Sequence, residues 1–349
     1  MMGRQTPKDY YADVRQHDLE PLWTIPDWFL ASEPLGAYRP YVWRWTEVYP
    51  RLRDAEHYMV PGQAGSRRVL VYAHPDLRQT LGTTHTLNVA MQMILPGEEA
   101  PAHRHTPLAI RFIISGQGAS TTVNGERMAM ESGDFLLTPR WAWHDHRHDG
   151  DGPMIWMDGL DIPCTRYMDA IFVQPYHQSM QDAVVPFRQS AKLFGYTGLY
   201  PKMTDAPQLA NGSLMSYPWS VTREALAAVR QTAPSPFDGA MVEYRNPLTG
   251  GPVLPTLGAS MQALEPGEET RAHRHTPSVA YYVYRGEGST AIEGTWYDWS
   301  EGDVLVLPPW RWHQHRNRSN TQQAVLFAIT DEPLVQSMGL YREEADVES

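Results

Sequence analysis

The amino-acid sequence predicts an all-β protein made of two similar small barrels in tandem. The first observation is an internal duplication, because residues 91–107 read MQMILPGEEAPAHRHTP and residues 261–277 read MQALEPGEETRAHRHTP. Short apolar runs separated by regularly spaced glycine turns surround each copy, a pattern typical of sandwiches and barrels. The chain also has 29 prolines, which suit a protein of short strands and loops. Two such units fit within 349 residues and leave room for connecting segments.

The elements can be justified in chain order. Residues 8–20 are predicted to be helical and to end at Pro21, and residues 26–62 form an aromatic, proline-rich arm with short helices. Residues 67–72, RRVLVY, read as a strand. Residues 87–93 can alternate as a further strand, with every second side chain on one face.

Turn signals close the strands that follow. Strand 110–114 ends at the turn SGQG, strand 119–123 ends at Asn124-Gly125, which is a hairpin signal, and strand 135–138 follows Gly133-Asp134. The same turns recur in the second half as RGEG, EG and EGD. The predicted segments are an arm with helices, a first barrel, a connector of helices and loops, a second barrel and an acidic tail, at residues 1–66, 67–162, 163–238, 239–335 and 336–349.

Composition limits the classes of function. A formal net charge of −11 argues against a nucleic-acid surface, so we expect small-molecule partners. The single cysteine, Cys164, cannot form an intramolecular disulfide. There is no apolar run of about 18 residues, so no membrane span is expected. The N-terminal residues lack the apolar stretch of a signal peptide, and we expect a cytoplasmic protein.

The histidines are clustered. Nine of the fourteen lie at 103/105, 144/146/148, 273/275 and 313/315. Two histidines two residues apart on a strand project from one face, and a third from a separate strand can complete a set of three nitrogens. Neutral imidazole is a common metal ligand. Each half therefore contains one candidate metal-binding triad: His103, His105 and His144 in the first, and His273, His275 and His313 in the second.

Residues around the triads distinguish the two halves. Arg111 lies six residues after His105 and can bind a substrate carboxylate through paired, charge-assisted hydrogen bonds. Its counterpart six residues after His275 is Tyr281, which lacks that charge. The first barrel is therefore the expected catalytic barrel. The tryptophan pairs of the two Trp-x-Trp-His blocks, at 141/143 and 310/312, are expected to pack in the core.

The histidine spacing resembles a known family. Gly97 followed after five residues by His103-x-His105 is similar to the first cupin motif, and the spacing of Gly133, Pro139 and His144 is similar to the second. The same spacings recur in the second half, so the chain resembles a bicupin, a pair of jelly-roll β-barrels. Within the bicupins it resembles the gentisate 1,2-dioxygenase family, which includes salicylate, 1-hydroxy-2-naphthoate and 5-nitrosalicylate dioxygenases. The residues that carry this resemblance include the segments LEPLW, RRVL, PAHRHT, RF, GDF, WHDH and DGLD at 19–23, 67–70, 101–106, 111–112, 133–135, 143–146 and 158–161.

The resemblance implies an activity and a site. It implies an Fe(II)-dependent, extradiol-type oxidoreductase of aromatic hydrocarbon catabolism, with iron in the first barrel. The enzyme would insert O₂ between the carboxyl-bearing and hydroxyl-bearing carbons of a salicylate-type ring, and it would work as a homotetramer. Substrate-binding or supporting roles are implied for Gln92, Arg67, His146 and Asp158.

Two alternatives remain open from the residues. One is a non-catalytic bicupin that binds a small acid, and the other is a cupin isomerase or decarboxylase. Many cupins carry a Glu as a fourth metal ligand four or five residues after the second His. The chain has Ala109 and Ile110 there, and Val279 and Ala280 in the second half, which disfavours the isomerase or decarboxylase. The second barrel is expected to be a scaffold for oligomerisation, with a second metal site at its triad as the alternative.

The chain departs from the family pattern near the expected ring site. Asn88 stands where the family usually has Trp, and Ala90 is larger than the glycine that would give plain salicylate more room. We therefore expect gentisate or a 5-substituted salicylate, such as 5-nitrosalicylate, as the substrate. His85, Asn88 and Ala90 are the predicted specificity residues.

Overall fold

The structure is a computed structural model that describes residues 6–24, 29–34, 36–59, 67–196, 198, 199, 211 and 213–346. Parts of the predicted arm, connector and tail, and the boundary at residue 66, lie outside these residues. The chain divides into two compact bodies, residues 1–37 and 38–349. In the smaller body, helix α1 (Pro7–Gln16) begins after Thr6, whose Oγ1 accepts the backbone N–H of Asp9 at 3.2 Å. A 3₁₀ turn follows at Leu22–Thr24.

The larger body, residues 38–349, contains the predicted strands. Those in the first part of the chain are β1 (Tyr41–Trp43), β2 (Val69–Val71), β3 (Asn88–Ile94), β4 (Glu99–His105), β5 (Ala109–Ser115), β6 (Ala119–Val123), β7 (Glu126–Met130), β8 (Phe135–Thr138), β9 (His144–His148), β10 (Met154–Leu160), β11 (Val173–Pro175) and β12 (Ser216–Tyr217). Those in the second part are β13 (Ala240–Glu243), β14 (Gly258–Leu264), β15 (His273–His275), β16 (Val279–Arg285), β17 (Glu287–Ile292), β18 (Thr295–Ser300), β19 (Val304–Leu307), β20 (His313–Asn317), β21 (Ala324–Thr330) and β22 (Glu343–Ala345).

Helices connect or flank these strands. They are α2 (Trp45–Asp54), α3 (Ile162–Tyr167), α4 (Gln189–Phe194), α5 (Trp219–Thr232) and α6 (Glu332–Ser337), with 3₁₀ turns at Ala55–His57 and Pro75–Thr80. Among the residues that the structure describes, none of the helices combines the length and the apolar character needed to cross a lipid bilayer.

Strand order confirms the predicted all-β fold of two similar halves, which we call the first unit and the second unit. The first unit is built around two sheets, with central strands ordered β3-β10-β5-β8 in one and β4-β9-β6-β7 in the other. The second unit repeats this as β14-β21-β16-β19 and β15-β20-β17-β18. All neighbours are antiparallel, and the chain alternates between the two sheets, which is the jelly-roll order.

The arm and the connector exchange reciprocally between the two units. Strand β1 of the arm pairs with β19 of the second unit, whereas β12 of the connector pairs with β8 of the first. A helix follows each strand, and its first N–H is accepted by an aspartate of the unit it joins. Trp45 donates to Asp303 at 2.8 Å, and Trp219 donates to Asp134 at 2.9 Å. The predicted segment boundaries therefore separate stretches of sequence that share sheets in the structure.

The predicted acidic tail also contributes structure. Its described part includes β22, which pairs with the histidine strand β15, just as β11 pairs with β4 in the first unit. The duplicated unit therefore extends from the exchanged strand and helix to this edge strand.

Glycines at the turns before β8 and β19 allow helices α5 and α2 to pack directly against these turns. Gly133 and Gly302 have φ of +87° and +88°. A Cβ on Gly302 would lie 2.4 Å from Cγ of Trp45, and one on Gly133 would lie 2.7 Å from Cγ of Trp219. Only a residue without a side chain fits there.

Substituting Gly302 by Ala should therefore lower stability. We expect the free energy of unfolding to fall by about 1–3 kcal/mol more than in Gly267→Ala, because of overpacking against Trp45. Gly267 is a matched control, since its φ is also positive, at +73°, and a Cβ there meets nothing within 4 Å. Urea unfolding of both variants measures the difference, and equal losses would show that the contact with Trp45 does not limit stability.

Side chains alternate between the two faces of each strand. One face of each large sheet points into its own unit, and the other face contacts the other unit. Phe112, adjacent to Arg111 on β5, points to the opposite face and stacks on Phe327 of β21, with ring centroids 4.2 Å apart and planes at 11°. Tyr282 and Tyr284 of β16 also contact Phe112. The large sheets of the two units thus pack against each other through buried aromatic rings, and the opposite face of each sheet is left for polar residues.

Candidate functional site

Two neighbouring strands bring the first triad together. His103 and His105 lie on β4, and His144 begins β9 directly opposite His103. The ring centroids are 4.2 Å apart for His103 and His144, 4.7 Å for His105 and His144, and 5.3 Å for His103 and His105. One ring nitrogen from each residue lies within 4.8 Å of the others. A single metal ion can be reached by all three at once.

Backbone carbonyls orient the rings of the triad. Nδ1 of His105 lies 2.8 Å from the carbonyl oxygen of Pro107, and Nδ1 of His144 lies 3.0 Å from that of Ala142. A carbonyl only accepts, so Nδ1 carries the proton and Nε2 keeps a free lone pair. This is the arrangement usual for metal-binding histidines.

The triad is neutral at physiological pH. Burial lowers the pKa of His105 to about 4 and holds the pKa of His144 well below its usual value. Neutral imidazoles are the form that binds metal. Ala109 and Ile110, four and five residues after His105, are buried and apolar. The donor set is therefore three imidazoles, which suits a first-row transition metal.

Arg67 lies against the triad. Its Nη2 is 2.6 Å from Nδ1 of His103 and donates to the carbonyl oxygen of Pro101 at 3.1 Å. Its Nη1 is buried and has no hydrogen-bond partner among the described residues. Burial, with Arg111 as a second cause, lowers the Arg67 pKa to about 10, so the side chain remains a cation at neutral pH. A partly buried cation whose buried Nη1 has no partner in the described part of the chain fits an anionic ligand beside the metal position.

Arg111 and Asp158 form a buried ion pair on the facing sheet. They lie opposite each other on β5 and β10, with 3.1 Å between Nε and Oδ1. Trp156 donates from Nε1 to Oδ2 of Asp158 at 3.0 Å, and Arg111 also contacts Thr138. Burial raises the Asp158 pKa, while Arg111 opposes the rise. The position of the Arg111 guanidinium is thus set by Asp158 and Thr138.

Three predicted residues share one face of β3. Gln92 lies opposite Trp156, Ala90 lies opposite Asp158, and Asn88 starts the strand. All three are buried. Asn88 donates from Nδ2 to the carbonyl oxygen of Leu81 at 2.6 Å, so its donor is used to hold the preceding loop. The loop that precedes β3 therefore fixes the side chain of Asn88.

The two remaining predicted residues differ in their surroundings. His146 is buried, with its ring centroid 5.0 Å from that of Trp156, and its Nδ1 has no partner in the described part of the chain. It links the histidine sheet to the sheet of Arg111 and Asp158. His85 is exposed and packs edge-on against Tyr38, at 5.2 Å between centroids. The structure thus places His85 at the surface.

Several side chains of the site were missed from the sequence. Trp156 and Thr138 hold Asp158 and Arg111, and only the spacing of two between Trp156 and Asp158 indicated that they share a face.

The predicted core packing of the tryptophan pairs was wrong. Arg104 lies over both Trp141 and Trp143, at 4.4 and 4.3 Å from the ring centroids, and Trp141 is 38% exposed. This cation–π contact ties the two triad strands together, and Arg274 repeats it with Trp310 and Trp312.

The second unit contains the second predicted triad. His273 of β15 pairs directly with His313 of β20. The ring centroids are 4.3, 5.0 and 5.6 Å apart, and the nitrogens meet the same 4.8 Å criterion as in the first triad.

Known proteins share this architecture and sequence. The family model of the cupin domain matches residues 90–162 and 260–330. The chain is 39% identical to a 5-aminosalicylate 1,2-dioxygenase of Comamonas sp., over 96% of this chain and 89% of that protein. It is 36% identical to gentisate 1,2 dioxygenase 1 of Aquipseudomonas alcaligenes, over 96% and 95%. A crystal structure of salicylate 1,2-dioxygenase from Pseudoaminobacter salicylatoxidans, an adduct with gentisate, superimposes with a TM-score of 0.90 at 30% identity, covering 100% and 96% of the two chains.

Proposed function

The chain belongs to the gentisate 1,2-dioxygenase family of ring-cleaving oxidoreductases, and from this premise we propose that it cleaves a salicylate-type ring with Fe(II) in the first unit. The bond broken would join the carboxyl-bearing and hydroxyl-bearing carbons, and both atoms of O₂ would enter the product. The reaction belongs to aromatic catabolism. Residues 67–162 would supply the catalytic site.

One observation carries the proposal. Three neutral, clustered imidazoles lie beside a partly buried cation, Arg67, whose Nη1 is buried and has no hydrogen-bond partner among the described residues. This combination fits an anionic, metal-chelating ligand. A non-catalytic bicupin has no requirement for it, and an isomerase or decarboxylase would need an acidic residue in place of Ala109 or Ile110.

Each side chain has a proposed task. His103, His105 and His144 would hold the iron, which when bound would bring the aromatic hydroxy acid and O₂ together. Arg67 and Arg111 would bind and orient the substrate carboxylate. Asp158 would fix the Arg111 guanidinium, and Gln92 and His146 would line the ring site as polar groups. The buried apolar residues between the sheets would exclude water.

The proposed substrates are gentisate and 5-substituted salicylates. Relatives are a 5-aminosalicylate dioxygenase and, over 38% of this chain, a 5-nitrosalicylic acid 1,2-dioxygenase of Bradyrhizobium sp.. Ala90 lies beside Asp158 and Arg111 on neighbouring strands and would limit the space for the ring. Asn88, at the start of β3, would leave space for a ring substituent.

Oxygen uptake after anaerobic Fe(II) loading tests the function. The panel is gentisate, salicylate, 5-aminosalicylate, 5-nitrosalicylate and 1-hydroxy-2-naphthoate. We expect one O₂ consumed per ring opened, with the highest kcat/KM for gentisate or a 5-substituted salicylate. Failure to consume O₂ with any member of the panel, in protein that contains iron, would contradict the proposal.

Substituting Asn88 by Trp should change substrate preference. The larger side chain would occupy the room proposed for the ring substituent at the start of β3. We therefore expect the kcat/KM ratio between 5-substituted rings and unsubstituted salicylate to shift by roughly 10-fold or more, the effect of one methylene-sized contact. Asn88→Ala is the matched control, because it also removes the hydrogen bond to Leu81 but fills no space. Equal substrate profiles for Asn88→Trp and wild type would refute the role of Asn88 in specificity.

We also propose that the chain works as a homotetramer. An exposed apolar segment supports a contact between subunits, since Tyr167, Met168, Phe172 and Val173 are 94%, 66%, 60% and 63% exposed. Light scattering should give four times the mass of one chain, and Phe172→Glu should lower that mass.

A further inference from the structure

The second triad contains buried nitrogens without partners. Among the described residues, neither ring nitrogen of His273 has a hydrogen-bond partner, and neither does Nε2 of His313. These two residues are only 5% and 1% exposed. Leaving buried polar atoms unpaired is destabilising, because they have lost water and gained no partner. A metal ion would satisfy one nitrogen of each ring, because one nitrogen from each of the three imidazoles meets the same 4.8 Å criterion as in the first triad.

The residues that surround the first triad are replaced around the second. Arg111 lies opposite Asp158 on neighbouring strands, and at the same place in the second unit Tyr281 lies opposite Ala328. Both members of the ion pair are therefore lost.

Strand register also locates the counterpart of Arg67. Val69 lies opposite Gln92 in the first unit, and Met241 lies opposite Gln262 in the second. The residue two positions earlier is Arg67 in the first case and Gly239 in the second. The second unit has thus lost both guanidinium groups of the candidate active site.

Carboxylates stand near the second triad instead. Oδ1 of Asp238, the residue before Gly239, is 3.8 Å from Nε2 of His273. Ser235 donates to the other oxygen of Asp238 at 3.0 Å, which orients the side chain. Glu343 of β22 takes the place of Val173 of β11, and its Oε1 is 3.5 Å from Nδ1 of His273. Two carboxylates therefore lie beside His273.

The adjoining cavity has the same negative character. It has a volume of about 240 Å³ and is lined in part by His273, His275, Tyr281 and Ala328. Its acidic lining residues are Asp238, Glu243, Glu332 and Glu343. The guanidinium in the lining, that of Arg245, is already paired with Glu243.

We propose that His273, His275 and His313 bind a second divalent metal ion, that Asp238 is its fourth ligand, and that this site excludes anionic aromatic acids. Three imidazoles and one carboxylate give a closed set of four ligands, the coordination number of structural metal sites, and the carboxylate offsets half of the charge of a divalent ion. An aromatic carboxylate would meet Asp238 and Glu343 in place of Arg67 and Arg111, and like charges within a few ångströms repel. The duplicated motif has thus produced two metal sites of opposite local charge.

Cobalt binding by the full chain tests the proposal. Metal-free protein is loaded anaerobically with Co²⁺, and bound cobalt is counted after gel filtration. We expect two ions per chain in wild type, one each in His144→Ala and His313→Ala, and none in the double variant. In His144→Ala, where cobalt is confined to the second site, Asp238→Asn should weaken binding by about 10-fold or more, because it replaces a charged ligand with a neutral one.

Gentisate distinguishes the two sites spectroscopically. It should change the Co²⁺ absorption spectrum of His313→Ala, whose cobalt lies in the first site, and leave that of His144→Ala unchanged. One cobalt per wild-type chain, or a gentisate-induced change in His144→Ala, would overturn the proposal. The wild-type stoichiometry decides the matter even if a variant does not fold. The inference does not rest on ring cleavage, since oxygen uptake and cobalt count are separate measurements.

Discussion

Replacing His105 by Ala should abolish oxygen uptake with every substrate of the panel. The Pro107 carbonyl holds the ring of His105, which stands 4.7 Å from that of His144. Its loss removes one of the three proposed metal ligands. Loss of a residue that only supports a ligand costs about 10–100-fold, and loss of a ligand itself should cost more. We expect less than 1% of wild-type kcat/KM, measured by oxygen electrode, and a lower iron content at the first site.

A surface histidine provides the control for this variant. The side chain of His57 is 71% exposed and lies near Glu56, so His57→Ala removes an imidazole without touching the site. It should keep the activity and iron content of wild type. If His105→Ala, folded as judged by circular dichroism, retained more than a tenth of wild-type activity, the three-histidine iron site would be wrong.

Replacing Arg111 by Gln should reduce both stability and catalysis. The substitution leaves Asp158 buried without its cationic partner, and breaking a buried ion pair costs about 3–5 kcal/mol of unfolding free energy. It also removes the proposed charge-assisted contact between Arg111 and the substrate carboxylate. Such contacts contribute about 1.5–3 kcal/mol, which corresponds to a loss of roughly 10- to 150-fold in kcat/KM.

A double variant separates these two effects. Arg111→Gln combined with Asp158→Asn leaves no unpaired buried charge, so we expect most of the lost stability to return. Catalysis should stay impaired, because the cation proposed to bind the substrate carboxylate is still absent. Urea unfolding and steady-state kinetics of the single and double variants give both quantities. Recovery of kcat/KM together with stability would mean that Arg111 is purely structural.

Local sequence patterns predicted the tandem all-β fold and the membership of each triad. A His-x-His pair on a strand projects both rings to one face wherever that strand lies. The glycine and asparagine turns likewise depend on their own backbone conformation, and Asn124 and Gly125 both have positive φ in the hairpin between β6 and β7. Such features need no knowledge of distant partners.

Other features depended on partners far along the chain. The ion pair of Arg111 and Asp158 joins residues 47 positions apart. Trp141 and Trp143 stack on Arg104 instead of packing in the core, and Trp310 and Trp312 stack on Arg274. Hydrophobicity alone could not distinguish an aromatic ring against a guanidinium from one in an apolar core.

The sequence by itself determined that the chain has two related halves, that each contains three histidines at metal-ligand spacing, and that the halves differ at Arg111 and Tyr281. These follow from repeat, period and residue type, which are properties of short segments. Only the tertiary structure decided that the arm and connector exchange between the two units, and that Asp238 and Glu343 approach the second triad. Asp238 is 35 residues from His273, and Glu343 is 70 residues from it. Such neighbours are brought together by the pairing of strands, whose register is set by packing across the whole sheet.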